Sequence, residues 1–351
     1  MEQDEIRFEH IGNAGIVTLN RPQALNAVTH DMVLKLQAQL DRWRNVAEVR
    51  HVIIKAVPGK AFSAGGDIRH LYERGVAGDP DFQFFHDEYR LNAYIKAYPK
   101  PYVALIDGIA MGGGVGVSFH GSHRVVGDRM SFAMPEVGIG FFPDVGGSFF
   151  LSRMPEGAGM YLGLTGERIK AGDAVWGGLA THYVPSDQFE ALEAALCEIT
   201  DVDACLRGFH KTATQGQLVR HHNSIKAAFS PSVFDEIFPK LDEISASGDK
   251  SAAEWVEATK STILQKCPLS VKIAFRQIRD GGSRSMEECM RMEYRILRRV
   301  LSGTQFYEGI RAAIIDKDNA PKWRPETLDD VSDAEIDENF ASLDDQELSF
   351  Q

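Results

Sequence analysis

The stretch PYVALIDGIAMGGGVGVSFHGSHRVVGDRMSFAMPEVGIGFFPDVGGSFFL, residues 101–151, decides how the chain is read. Tyr102 to Ile106 is a short apolar run bounded by Pro101 and Gly108, which predicts a buried strand. Gly112, Gly113 and Gly114 follow, and Val115 to Phe119 then suits a helix. A glycine turn between strand and helix exposes backbone N–H groups at a helix start, where anionic oxygen is stabilised. Downstream lie Glu136 and Asp144, with no basic side chain from Ser131 through Leu151. Carboxylates among small and aromatic residues tend to keep their protons to higher pH, which suits general acid–base work. The plainer alternative is a pair of loop acids or helix caps. Together, an anion-binding turn and two neighbouring acids point to an acyl-group site.

Upstream, Ile6 and Phe8 alternate with polar residues, Asn13-Ala14-Gly15 supplies turn chemistry, and Ile16 to Leu19 returns; residues 5–20 read as a hairpin. Thr29 is an expected N-cap, with Val33, Leu36, Leu40 and Trp43 on one helix face. Val52 to Val57 is nearly all apolar, as a strand buried on both faces would be. Then comes KAFSAGGDIR, residues 60–69. Gly65 and Gly66 let the backbone approach a ligand, and Ala64 before them has a small side chain, so the Ala64 N–H is a candidate donor. A tight turn with no ligand is the alternative. An oxyanion is best held by two converging N–H groups, and this is the second glycine turn that could supply one. Between the two turns, Phe84, Glu88, Leu91 and Ile95 repeat with helical spacing. Glu88 thus lies on an apolar stripe, where an unpaired carboxylate is costly. It is either paired with a cation or faces a cavity.

At 351 residues the chain can bury a large core, and 44% hydrophobic with 25% charged residues is ordinary for a globular protein. Much of the net charge of −12 sits in residues 326–351, which hold ten acids and no Lys or Arg. The remainder is near neutral, which argues against a nucleic-acid partner. No apolar run approaches the roughly 20 residues of a membrane span. The N-terminus MEQDEIRFEH has no targeting character, so the expected location is cytoplasmic. Cys197, Cys205, Cys267 and Cys289 read as reduced thiols. His120, His123 and His182 lack metal-ligand spacing and read as structural, so no metal is expected. Beyond about residue 186 glycine thins and amphipathic helices take over, including a stripe of Met286, Met290, Tyr294, Leu297 and Leu301. The expected division is a core to residue 185, helices over 186–325, and an acidic tail over 326–351, partly disordered or ending in a short helix.

Four motifs then combine: NRPQALNA (20–27), KAFSAGGDI (60–68), GIAMGGG (108–114) and MPEVGIG (134–140). In this order they resemble the crotonase, or enoyl-CoA hydratase/isomerase, superfamily. The resemblance implies an α/β fold, a spiral of repeated β-β-α units followed by helices. It also implies an acyl-CoA substrate whose thioester oxygen is held by two backbone N–H groups, at Ala64 and Gly113 by motif position. Hydratases of this superfamily usually carry a glutamate where this chain has Gly116, and a glycine where it has Asp144. FFHDEY (84–89), FPDVGG (142–147), MEYR (292–295) and EGIRAAIIDKDNAPKW (308–323) are similar to the 3-hydroxyisobutyryl-CoA hydrolase branch. That branch implies hydrolysis of a thioester by Glu136 and Asp144, with Glu88 contacting the substrate and coenzyme A entering only as part of it. Competing implications are an enoyl-CoA hydratase or dienoyl-CoA isomerase, and a non-catalytic CoA- or RNA-binding member. The superfamily often forms trimers, so one implication is a homo-oligomer; the other is that the extended C-terminal helices cover or replace that surface.

Overall fold

The structure is a computed structural model that describes residues 4–350. By contacts it forms two units. One runs to Asp67 and takes in Asp87–Phe132 and Ile169–Gly216; the other takes in Ile68–His86, Ala133–Arg168 and the chain from Gln217 onward.

The first unit is built on strands. β1 (Ile6–Ile11) and β2 (Ala14–Leu19) form the expected antiparallel hairpin. Its turn is Gly12-Asn13 rather than Asn13-Ala14-Gly15. Gly15 lies inside β2, where any Cβ would come 2.8 Å from the Trp43 ring. β3 (His51–Ala56), β5 (Tyr102–Ile106), β7 (His123–Val126) and β9 (His182–Tyr183) then add in parallel, giving the order β1-β2-β3-β5-β7-β9. β4 (Ala61–Ser63), β6 (Ile109–Met111) and β8 (Ser131–Ala133) make a smaller sheet. Each of the pairs β3–β4, β5–β6 and β7–β8 places one strand in each sheet, which is the repeat of the expected spiral. β5 and the Val52–Ile54 centre of β3 are apolar and buried because parallel strands are covered on both faces. Ile53, Val103, Leu105 and Val125 form a core with Leu192 and Leu196 of the helix Phe189–Glu198. Burying one such side chain is worth roughly 1.5–3 kcal/mol. Helix α1 (His30–Arg44) starts where Thr29 accepts a bond from the Met32 N–H, and it buries Val33, Leu36, Leu40 and Trp43.

The second unit is mainly helical. It contains α2 (Ile68–Val76) and the first turn of α3 (Phe82–Lys96), whose later residues belong to the first unit. The helix Ala158–Thr165 is buried on every side and packs against Pro268–Gly281; a Cβ on Gly163 would meet Ile278 Cδ1 at 2.3 Å. The expected boundary at residue 185 therefore does not follow the units. Residues 133–168 are buried by the C-terminal helices, whereas Phe189–Glu198 covers the strands. The helix Met286–Val300 opens with a capping box between Ser285 and Glu288. The acidic tail contains a short helix, Asp333–Phe340, capped by Ser332, and a 3-10 turn, Asp344–Gln346, after it. Its charge is met by cations: Arg276 pairs with Asp337, and Arg295 reaches Glu347 at 2.7 Å. No helix among the described residues is long and apolar enough to cross a membrane.

Candidate active site

The first unit assembles a turn of backbone donors and one acid. The NRPQALNA turn places Leu25 and Asn26 in the left-handed region, with φ of 51° and 55°. It is stitched to β4 by the Asn26 side chain, which donates to the Ala61 carbonyl at 3.0 Å. In the same seam the Ala64 N–H donates to the Leu25 carbonyl at 3.0 Å. The N–H expected to face a ligand at Ala64 is thus already used in holding two loops together. Gly65, at φ 117°, then reverses the backbone, and its carbonyl accepts from Val28 at 2.8 Å. The next donor, the Gly66 N–H, has no acceptor among the described residues.

Gly113 opens the single-turn helix α4 (Gly113–Gly116), which begins two residues before the helix expected from Val115. The first N–H groups of a helix lack intrahelical partners. A Cβ on Gly113 would lie 3.5 Å from Gly66 N and 2.6 Å from Glu88 Oε1. The structure therefore brings Gly113, Gly66 and Glu88 together. Glu88 is 1% exposed, on the inner face of α3 as its spacing required. Gly116 is also buried and contributes no functional group.

The second unit holds the other two acids. Glu136 starts a short 3-10 turn, Glu136–Ile139, closed by Gly140 at φ 69°. A side chain at position 140 would strike the Gln305 carbonyl, 2.2 Å from the Cβ position. Glu136 is buried, and its Oε2 has no hydrogen-bond partner among the described residues. Burial raises its pKa well above the usual carboxylate range, and the neighbouring Asp144 carboxylate raises it further. A raised pKa makes the ionised carboxylate a stronger base, which suits general acid–base work. Asp144 is buried too, at the start of a strained turn in which Val145 has φ 49° and Gly146 φ 88°. A β-branched residue rarely adopts a positive φ, and such strain persists only where surrounding contacts impose it.

Those contacts come from residues that the sequence reading did not single out. Glu293 is fully buried and accepts from the Gly146 N–H at 2.8 Å, the Ser148 N–H at 2.9 Å and the Ser148 hydroxyl. The Gln277 side chain donates to the Pro143 carbonyl at 2.6 Å. A signal for Glu293 was present. It falls three residues after Met290 and four before Leu297, both on the buried stripe of Met286–Val300. An acid on an apolar stripe is the feature that marked Glu88.

The sequence model of the enoyl-CoA hydratase/isomerase family matches residues 14–340. The 3-hydroxyisobutyryl-CoA hydrolase, mitochondrial, of Danio rerio is 44% identical over 98% of this chain and 91% of its own length. The protein of the same name from Homo sapiens is 39% identical over 99% of this chain and 91% of its own. Among solved structures, an enzyme described as a carnitinyl-CoA dehydratase from Mycobacterium thermoresistibile superposes with a TM-score of 0.92 at 37% identity, covering 99% of both chains. An enoyl-CoA hydratase from Rhodobacter sphaeroides 2.4.1 gives 0.90 at 38%, covering 99% of this chain and 100% of its own. The cytoplasmic location expected from the N-terminal residues is overturned here, because these hydrolase relatives are named as mitochondrial. The chain belongs to the enoyl-CoA hydratase/isomerase family.

Proposed function

We propose that this protein hydrolyses 3-hydroxyisobutyryl-CoA to 3-hydroxyisobutyrate and free coenzyme A, a step of valine breakdown. The observation that carries the reading is Glu136: a buried carboxyl with an unpartnered oxygen and a raised pKa beside Asp144. The two near-full-length relatives named as this hydrolase support it. In the reaction, Glu136 takes a proton from water as the hydroxide adds to the thioester carbon. The alternative within the same reading is direct attack by Glu136, giving a mixed anhydride that water then opens. The Gly66 and Gly113 N–H groups hold the oxyanion, with Gly66 in place of Ala64, whose N–H is bound to the Leu25 carbonyl. Losing one such donor typically costs about 100-fold or more in rate. The tetrahedral intermediate collapses by expelling CoA thiolate, which takes the proton from Glu136. A thiol with a pKa of about 8.5 needs little help in leaving, so this chemistry calls for no metal and no cofactor beyond the CoA of the substrate. Asp144 orients the substrate hydroxyl or the water, and Glu88 helps to place the acyl group. A homo-oligomer is part of the proposal and is checked by light scattering.

A second reading is hydration or dehydration of an acyl-CoA, favoured by the descriptions of the two solved structures. Gly116 speaks against it, since it leaves no acid where hydratases of the superfamily usually carry one. A free-thiol assay across acyl-CoAs with and without a 3-hydroxyl group separates the readings. Thiol release favours hydrolysis, whereas a change in enoyl absorbance without thiol favours hydration.

A further inference from the structure

We propose that Glu293 is a positioning residue for the reaction, acting through Asp144 by fixing the turn from Asp144 to Ser148. One carboxyl group meets three donors from two residues of that turn: Gly146 N at 2.8 Å, Ser148 N at 2.9 Å and the Ser148 hydroxyl. The turn also closes on itself, with the Gly147 N–H donating to the Asp144 carbonyl at 2.7 Å. Between these anchors sit the two positive-φ residues Val145 and Gly146. A free chain would relax Val145 out of that conformation, so the direction of the Asp144 side chain depends on what holds the residues after it. Glu293 supplies that hold from a helix, Met286–Val300, which is rigid and buried along this face. Its two oxygens match the turn specifically. An amide in its place would turn a donor towards one of the donors, leaving a buried N–H unsatisfied.

The environment of the carboxylate fits this assignment. Burial lifts its pKa to about 8, the Ser148 and Gly146 bonds oppose that rise, and the Asp144 charge adds to it. Glu293 and Asp144 thus sense each other electrostatically as well as through the backbone. If packing were all that position 293 had to provide, Met or Leu would suit a fully buried helix face better than an acid.

The proposal rests on the reading that Asp144 serves hydrolysis, and a double-mutant cycle tests the two separately. Thiol release from 3-hydroxyisobutyryl-CoA is measured for wild type, Glu293→Gln, Asp144→Asn and the double variant, with folding checked by circular dichroism. Glu293→Gln is expected to lower kcat by about 10- to 100-fold, in the range that small misplacements of catalytic groups cost, with little change in KM. In the Asp144→Asn background the same change is expected to cost almost nothing, because residues acting as one unit are not additive. An equal loss in both backgrounds overturns the Glu293 proposal alone, since general loosening would act in both. Full activity of Glu293→Gln overturns it too. Full activity of Asp144→Asn removes the role of Asp144 and, with it, the proposal. If Glu293→Gln does not fold, Ser148→Ala, which deletes a single donor, is carried through the same cycle with the same deciding outcomes.

Discussion

Gly113 and Glu88 are fitted to each other: a methyl group on Gly113 would sit 2.6 Å from Glu88 Oε1 and 3.5 Å from Gly66 N. The acid would have to move, while the methyl would stand in van der Waals contact in front of the Gly66 nitrogen. Gly113→Ala is therefore expected to lower kcat/KM by about 100-fold or more, the scale of a lost oxyanion donor. Circular dichroism should show a folded protein, since the contact is with the end of one side chain. Wild-type activity in Gly113→Ala would remove Gly113 from the proposed oxyanion pair.

The pH dependence of the rate follows from Glu136. Burial raises its pKa, Asp144 raises it further, and the group must be ionised to act as a base. The activity kcat/KM should rise with pH across a limb displaced well above the usual carboxylate value of 4.5. A limb near 4.5 would mean that Glu136 is not the titrating base.

Stability should carry a separate mark from Glu293, whose pKa in the folded protein is raised from 4.5 to about 8. Below about 4.5 the folded and unfolded states are both protonated there, and the group costs nothing. Between about 4.5 and 8 the unfolded chain has lost the proton that the folded protein keeps, so stability falls as pH rises through this window. Glu293→Gln cannot ionise. Its melting temperature relative to wild type should shift in its own favour between those limits and stay level above them. A constant difference across the window would contradict the raised value.

Asp144 stands where hydratases of the superfamily usually carry glycine, although some dienoyl-CoA isomerases also place an Asp there. Asp144→Gly restores the residue usual in hydratases and is expected to lose thiol release. Retained release would make Asp144 a structural residue of its turn.

The sequence made the frame legible because parallel strands and capped helices have local signatures. The apolar runs at 52–57 and 102–106, the Thr29 cap and the Glu88 stripe all came out as their spacing required. Motif position pointed to Ala64, and that its N–H is taken up by the Leu25 carbonyl, on a loop 39 residues earlier, had no local signature. Glu293 was hidden because its partners Gly146 and Ser148 lie almost 150 residues upstream, with separations of 147 and 145. Its own position was readable, as an acid among Met290, Tyr294 and Leu297, but its purpose required the fold. The acidic tail left disorder and a short helix both open; it forms the helix Asp333–Phe340, and Arg276 and Arg295, distant in sequence, meet its charges.

The central claim is that Glu136 drives thioester hydrolysis. It is tested most directly by measuring free thiol released from 3-hydroxyisobutyryl-CoA by wild type and by Glu136→Gln at equal enzyme concentration. The prediction is steady release by wild type and a loss of about 100-fold or more in the variant, the contribution expected of a general base. Release by Glu136→Gln at the wild-type rate, or none by wild type, would contradict it.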